Sequence, residues 1–285
     1  MSWLIANGAP KSGSTWIFQL LQSTGAYAPL PGELQDPDWV NPSVAEAKLD
    51  RAVELLGMSS ERYATKQHWP TPLPLSTGTG LKGSALIRRA RQLKRRLANK
   101  QKMRRYARLL PEPGVQVCNI IRDVRDVAVS LYHHEQRRAE CDQDISTFLA
   151  RHGRELVTNT IAYHRYWIGS PLRTRDNYFI TSYEFLIDDV EAAADQLFDF
   201  AGLAADPEMR SRAIEKGSFE SKKVKGPGEF FRKGQAMAFA DEISASEAER
   251  LLTLAERGGL LGVKRAIADF NPILKPYLEM TDIGL

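Results

Sequence analysis

Short apolar runs alternate along this chain with longer stretches in which apolar residues recur at helical spacing. Trp3-Leu4-Ile5-Ala6 reads as a first strand that breaks at Gly8, and a helix follows from about residue 14. Further strands are expected near 63–66, over 115–121 and over 177–182, with helices over 124–138, near 144–169 and over 188–202. Such alternation predicts an α/β fold: a single domain with a central parallel sheet flanked by helices, its site at the strands' carboxyl ends. At 285 residues and 43% hydrophobic, the chain can bury one substantial core, and no internal repeat is visible.

One stretch departs from this pattern. Residues 82–110 carry twelve Lys or Arg and no acid, which leaves 27 basic against 35 acidic residues elsewhere. The overall charge of +4 therefore hides a sharp polarity. Leu86, Ala90, Leu93 and Leu97 recur at helical spacing, so a basic amphipathic helix is expected, an insert at about 78–111. Three roles compete for it: a solvated flap over a pocket, a steering surface for an anionic acceptor, or a contact with an anionic membrane. Nucleic acid is disfavoured, because Tyr106 is the only aromatic residue within 82–110.

The candidate chemistry begins at the first strand's end, where residues 9–16 read A-P-K-S-G-S-T-W. A strand that turns through Pro10 and Gly13 and opens a helix at Trp16 builds an anion cradle, with backbone N–H groups and the helix dipole directed at one point. Lys11 and the hydroxyls of Ser12, Ser14 and Thr15 line the turn. Gly8 and Gly13 keep the spacing of an ATPase P-loop, but Ser14 stands where its Lys belongs, and no apolar strand ends in an obvious metal-binding Asp. The turn predicts a P-loop-like nucleotide-binding fold whose cation meets a different part of the anion.

Five segments, taken in order, resemble the sulfotransferases that use 3′-phosphoadenosine 5′-phosphosulfate (PAPS). A-P-K-S-G-S-T-W is similar to that family's 5′-phosphosulfate loop, and K-Q-H-W-P at 66–70 to its K-T-H-L-P. R-D-V-R-D-V-A-V-S at 122–130 follows a strand, as in the family, and so does Tyr183-Glu184. Gly217-Ser218-Phe219 and F-F-R-K-G at 230–234 complete the set, so the landmarks run from residue 9 to 234.

The resemblance implies a cytosolic-type, PAPS-dependent enzyme that transfers a sulfuryl group to a hydroxyl or amine of a small-molecule acceptor and leaves adenosine 3′,5′-bisphosphate. It sets Lys11 near the oxygen bridging phosphorus and sulfur, with Ser12, Gly13, Ser14 and Thr15 holding the 5′-phosphate. Lys66 would touch the transferring oxygens and His68 would accept the acceptor's proton, a role suited to imidazole. Arg122 and Ser130 would meet the 3′-phosphate near a helix start, closed over by Arg232, Lys233 and the Gly234 amide. Adenine would lie between Trp16 and Phe219, with Ser218 in the same late loop and Tyr183 close by. The departing phosphate is already a stable anion, so positioning, a base and cations suffice and no metal is required.

Arg125 and Asp126 read instead as a cap and ion pair at a helix start. His133, His134 and Glu135 are sequence neighbours that a helix turns apart, so no metal site is expected there. Departures from the family are local. Gly217 replaces a common Thr, and Q-A-M-A-F-A-D at 235–241 replaces G-D-W-K, with Phe239 a stand-in for the Trp over the cofactor. The short dimer motif of some relatives has no convincing counterpart. Two rival readings stay open: an ATP-dependent P-loop phosphotransferase, and a basic membrane- or nucleic-acid-binding module with a relic nucleotide site. The first strand begins at residue 3 and no apolar stretch reaches the ~20 residues of a membrane span, so neither signal peptide nor anchor is expected. Two cysteines, one inside an apolar strand, point to reduced thiols and a cytoplasmic setting. Residues 26–45, 69–110 and 134–145 are expected to wall the acceptor pocket.

Overall fold

The computed structural model describes residues 2–31, 54, 60–68, 113–137, 142–170, 174, 176–203, 206–217 and 234–280. Its centre is a sheet of four parallel strands: β1 (Ser2–Gly8), β2 (Arg62–Gln67), β3 (Val115–Ile121) and β4 (Tyr178–Ser182), in the order β2-β1-β3-β4. The expected strands are all present, and the sheet is parallel as the alternation predicts. β1 and β3 are apolar almost throughout because both faces of a parallel sheet are covered by helices. Several polar residues buried in the sheet are paired. Trp3 Nε1 donates to Thr65 Oγ1 at 3.0 Å, Asn119 Nδ2 to the Tyr178 hydroxyl at 3.1 Å, and the Tyr163 hydroxyl to Asn119 Oδ1 at 2.9 Å.

Strand order decides where the chemistry falls. The chain leaves β1 on one side for β2 and crosses back to the other for β3, so a crevice opens between the carboxyl ends of β1 and β3. Register then aligns the landmarks. Gly8 pairs with Ile120, two residues before Arg122, and Ala6 pairs with Lys66, two residues before His68.

The helices follow their apolar stripes. α1 (Ser14–Ser23) leaves the first turn, and α2 (Val124–Arg137) leaves β3 after two residues. α3 (Ile145–Ile168) starts where Asp144 accepts from Thr147 N at 2.9 Å, and it buries Phe148, His152, Leu156, Tyr163 and Trp167 along one side. The helix expected over 188–202 is present over 190–200, and a short helix that the periodicity did not show precedes it. Ser182 caps α4 (Tyr183–Asp188), and Asp189, with φ −141° and ψ 81°, leaves the helical region and caps α5 (Val190–Phe200) through Ala192 N. An Asp whose side chain offers the backbone another acceptor restarts the helix there. Beyond the elements expected from sequence lie α6 (Pro207–Gly217), α7 (Ala245–Arg257), α8 (Leu260–Phe270) and α9 (Lys275–Met280). α7 begins with a complete capping box, Ser244 with Glu247, and packs on α3, where a Cβ at Gly153 would meet Leu251 Cδ2 at 3.0 Å.

Candidate active site

The turn from Gly8 to Ser14 is shaped by its own backbone. Ser12 N and Ser12 Oγ both donate to Ala9 O, at 3.0 and 2.6 Å, so this buried hydroxyl closes the turn from within. Lys11 has φ 70° and Gly13 φ 111°. Only glycine suits position 13: a Cβ there would lie 2.9 Å from both Ile120 Cδ1 and Tyr183 Cδ2, in a backbone conformation that side chains disfavour. Gly13 also caps α1 without a side-chain hydrogen bond, while Trp16 N donates to Gly13 O at 2.8 Å. The amides of Ser14 and Thr15 precede that first bond of α1, and they form the anion-binding end of the helix.

Cations gather at this turn. Lys66 Nζ donates to Thr15 Oγ1 at 3.3 Å, and burial lowers its pKa. Lys11 is pushed down to about 8, first by burial and then by the charges of Arg137, Lys66 and Arg122, with Glu135 opposing. Cations held this close repel one another, and a polyvalent anion relieves that repulsion. His68 sits beside them with Nδ1 2.8 Å from Gly8 O. A carbonyl can only accept, so Nδ1 carries the proton and Nε2 keeps its lone pair. Burial lowers this imidazole to about 4, with Lys66 and Lys11 adding to the effect against the Gly8 bond, so His68 is neutral at pH 7.

A second turn, Arg122-Asp123, lies beside the first. Arg125 is bound by Asp123 through Nε at 3.0 Å and Nη2 at 2.8 Å, and its guanidinium covers the Phe239 ring at 4.1 Å. Arg122 is held more loosely. Its Nη1 reaches Lys11 O at 3.4 Å, its Nη2 stands 3.5 Å from Asp126 Oδ2, and it lies 3.9 Å over the Tyr183 ring. Arg122 Nε is buried without a hydrogen-bond partner among the described residues. The helix-start pairing expected of Arg125 and Asp126 is thus present, but Arg125 pairs with Asp123 while Asp126 faces Arg122. Glu184 accepts the Asp123 amide at 3.0 Å, and burial pushes its carboxyl up to about 7.

The structure brings Lys11, Gly13, Ser14, Thr15, Lys66, His68, Arg122 and Tyr183 to one end of the sheet. Trp16 is 2% exposed, edge-on to Tyr183 at 5.7 Å, and its Nε1 donates to Gly217 O at 2.8 Å, which ties α1 to the end of α6. Gly217 packs closely: a Cβ there would lie 2.5 Å from Leu20 Cδ2, so a Thr would require the Leu20 side chain to shift. Ser130 is half-buried on the side of α2, about 9 Å along the axis from Val124, rather than at the helix start. Gly234 has φ 60°. Phe239 is fully buried beneath Arg125, which corrects its expected place over the cofactor; its aromatic ring belongs to the core. Ser218, Phe219, Arg232, Lys233 and the basic stretch 78–111 lie outside the described residues. The sequence reading missed Glu135 and Arg137, whose charges act on Lys11. Arg137 follows Ser130 by seven residues, a spacing that shares a helix face and offered a signal.

A P-loop-like sheet with an anion turn at its switch point, cations around it and a neutral histidine alongside has the form of a group-transfer enzyme. The family match makes this specific. The sulfotransferase domain matches residues 3–253, and the chain belongs to that family: it is a sulfotransferase. No curated protein matches it by sequence. Among solved structures, it is similar to a mouse sulfotransferase, SULT7A1, complexed with PAP, with a TM-score of 0.58 and 16% identity over 98% of this chain and 87% of that one. It is also similar to retinol dehydratase in a complex with retinol and PAP, with a TM-score of 0.55 and 17% identity over 90% and 80%. Retinol dehydratase with androsterone and PAP gives 0.54 and 18% over the same shares. At these identities the likeness is one of fold.

Proposed function

We propose that this sulfotransferase takes PAPS as donor and passes its sulfuryl group to a hydroxyl or amine of a small-molecule acceptor, with His68 as the base. One observation carries the reading. The Nε2 lone pair of a neutral His68 lies at the same sheet end as Lys11, Lys66 and the open amides of α1. The similar structures hold PAP, and two of them hold retinol or androsterone, which supports a bisphosphate product and a small acceptor.

PAPS supplies the sulfuryl group on a phosphate that is already a stable anion. The residues supply the rest. The first-turn amides with Ser14 and Thr15 hold the 5′-phosphate, and Lys11 meets the charge that grows on the bridging oxygen as the S–O bond breaks. Lys66 steadies the sulfuryl oxygens. His68 Nε2 takes the acceptor's proton as the acceptor atom bonds to sulfur, and the carbonyl of Gly8 holds the ring in the required tautomer. Arg122, stacked on Tyr183 with its Nε unpartnered among the described residues, binds the 3′-phosphate together with Ser130, Arg232, Lys233 and the Gly234 amide. Trp16 and Phe219 form the adenine site, with Ser218 beside it. Side-chain cations meet the charge, so the proposal includes no metal.

We take the chain as one sulfotransferase domain with a basic helical insert at 78–111, read first as a solvated flap over the acceptor pocket, with an anionic acceptor or an anionic surface as its alternatives. Among the described residues no helix is long and apolar enough to cross a membrane, and a cytoplasmic setting is part of the proposal. Calorimetric titration with adenosine 3′,5′-bisphosphate, 5′-AMP and ATP tests the donor: the bisphosphate should bind tightest, and equal or tighter binding of ATP would overturn the reading. Labelled PAPS offered with phenols, aliphatic alcohols, amines and acidic sugars then identifies the acceptor class.

A further inference from the structure

Arg122 and Arg125 stand three residues apart and are held in opposite ways. Arg125 is fixed by two short bonds to Asp123. Among the described residues Arg122 has one ion pair at 3.5 Å, one long bond to Lys11 O, a ring beneath it and a buried Nε without a partner. The ion-pair partner, Asp126, is 1% exposed and does more than balance a charge. Its Oδ1 accepts from Phe239 N at 2.9 Å, across 113 residues of sequence. Phe239 lies in the 3-10 turn Ala238–Asp241, capped by Met237 with φ 55°. Met237 and Lys11 are the two non-glycine residues with positive φ among those described. Such conformations persist where the surroundings impose them. Arg122 touches the carbonyl of one of these residues, and Asp126 bonds the amide two residues past the other.

We infer that Asp126 is a positioning residue: one carboxylate joins Arg122 to the backbone at Phe239, so the arginine and the chain that follows Gly234 are set as a unit around the donor's 3′-phosphate. The inference rests on the donor reading above. An aspartate here has two possible effects on an anion site. As a tether it holds Arg122 at the right place; as a competitor it draws the guanidinium away from phosphate. The geometry favours the tether, because among the described residues the 3.5 Å pair leaves Asp126 Oδ2 without a hydrogen bond and Arg122 Nε without a partner.

Asp126→Asn separates the two, since the amide oxygen can still accept from Phe239 while the ion pair is lost. The readout is the ratio of affinities for adenosine 3′,5′-bisphosphate and 5′-AMP, which a general loss of stability leaves unchanged. A tether predicts that this ratio falls about tenfold, the scale of one charged hydrogen bond, and that Asp126→Asn adds nothing once Arg122 is Ala. An unchanged ratio, a raised one, or full additivity with Arg122→Ala would overturn the inference while leaving the donor reading standing. If wild type binds the bisphosphate no better than 5′-AMP, the donor reading fails and takes the inference with it. Should Asn not fold at this position, Asp126→Glu keeps the charge but displaces the carboxylate by one methylene. The same selective loss is then expected at smaller size, and a wild-type ratio would count against the tether.

Discussion

Two turns leave adjacent strands at the same end of the sheet and are built from different materials. The turn after β1 is made of backbone: Gly8 and Gly13 where a Cβ would collide, Lys11 and Gly13 at positive φ, and the Ser14 and Thr15 amides that precede the first helical bond. The turn after β3 is made of side chains: Arg122, Asp123, Arg125 and Asp126, interlocked and anchored by Glu184 and Phe239. Backbone donors are fixed within a few tenths of an ångström and suit a place where a bond breaks. Long charged side chains suit a distant phosphate that must be recognised and released. Damage at the first turn should therefore be read mainly in turnover, and damage at the second in donor affinity and in fold.

The largest effect is expected beside the first turn. His68→Ala should lower kcat by about 10²–10⁴, the range for a general base, with the affinity for adenosine 3′,5′-bisphosphate nearly unchanged. A loss of affinity without loss of turnover would reverse the comparison.

Next comes the anchor of the second turn. Glu184, at about 7 in the fold against an ordinary 4.5, keeps its proton in the native state over a range where the unfolded chain has released it. The unfolded state then binds fewer protons, so stability falls as pH rises from 4.5 to 7 and is level above. The fall is on the order of 3 kcal/mol. Glu184→Gln keeps an oxygen for the Asp123 amide and should flatten this slope in denaturant titrations from pH 5 to 8. An identical slope in the variant would show that Glu184 does not carry it.

Arg122→Ala is expected to weaken binding of the 3′-phosphorylated nucleotide about 10- to 100-fold, as for loss of charged hydrogen bonds of about 1.5–3 kcal/mol, and to leave 5′-AMP unaffected. Equal losses for both ligands would mean that the second turn does not read the 3′ position. Gly13→Ala, which combines a positive φ with contacts at 2.9 Å, should destabilise the fold by about 1–3 kcal/mol, seen as a lower Tm. A wild-type Tm would show that the turn relaxes freely and is not set by its backbone.

The two turns also differ in how far they could be read in advance. The first was legible because its function lies in residue types: a Gly at positive φ, a Lys inside the loop and hydroxyls at a helix start are local requirements. Strands 115–121 and 177–182 were equally plain as short apolar runs. Ser12 was read as a ligand hydroxyl, yet it closes the turn on Ala9, a choice between two acceptors that a residue letter does not record. Phe239 looked like a lid and is core, because its fate depends on Arg125, more than a hundred residues earlier.

The amino-acid order alone established the parallel α/β plan, the anion turn and the sequence of landmarks, since each arises from local periodicity or from a backbone conformation that few residues allow. Tertiary structure alone decided the partners: that His68 donates to Gly8, that Arg125 takes Asp123 and leaves Arg122 to Asp126, and that Gly217 packs closely against Leu20. Pairing depends on which strands and helices become neighbours, and strand order and register fix that for residues far apart in the chain.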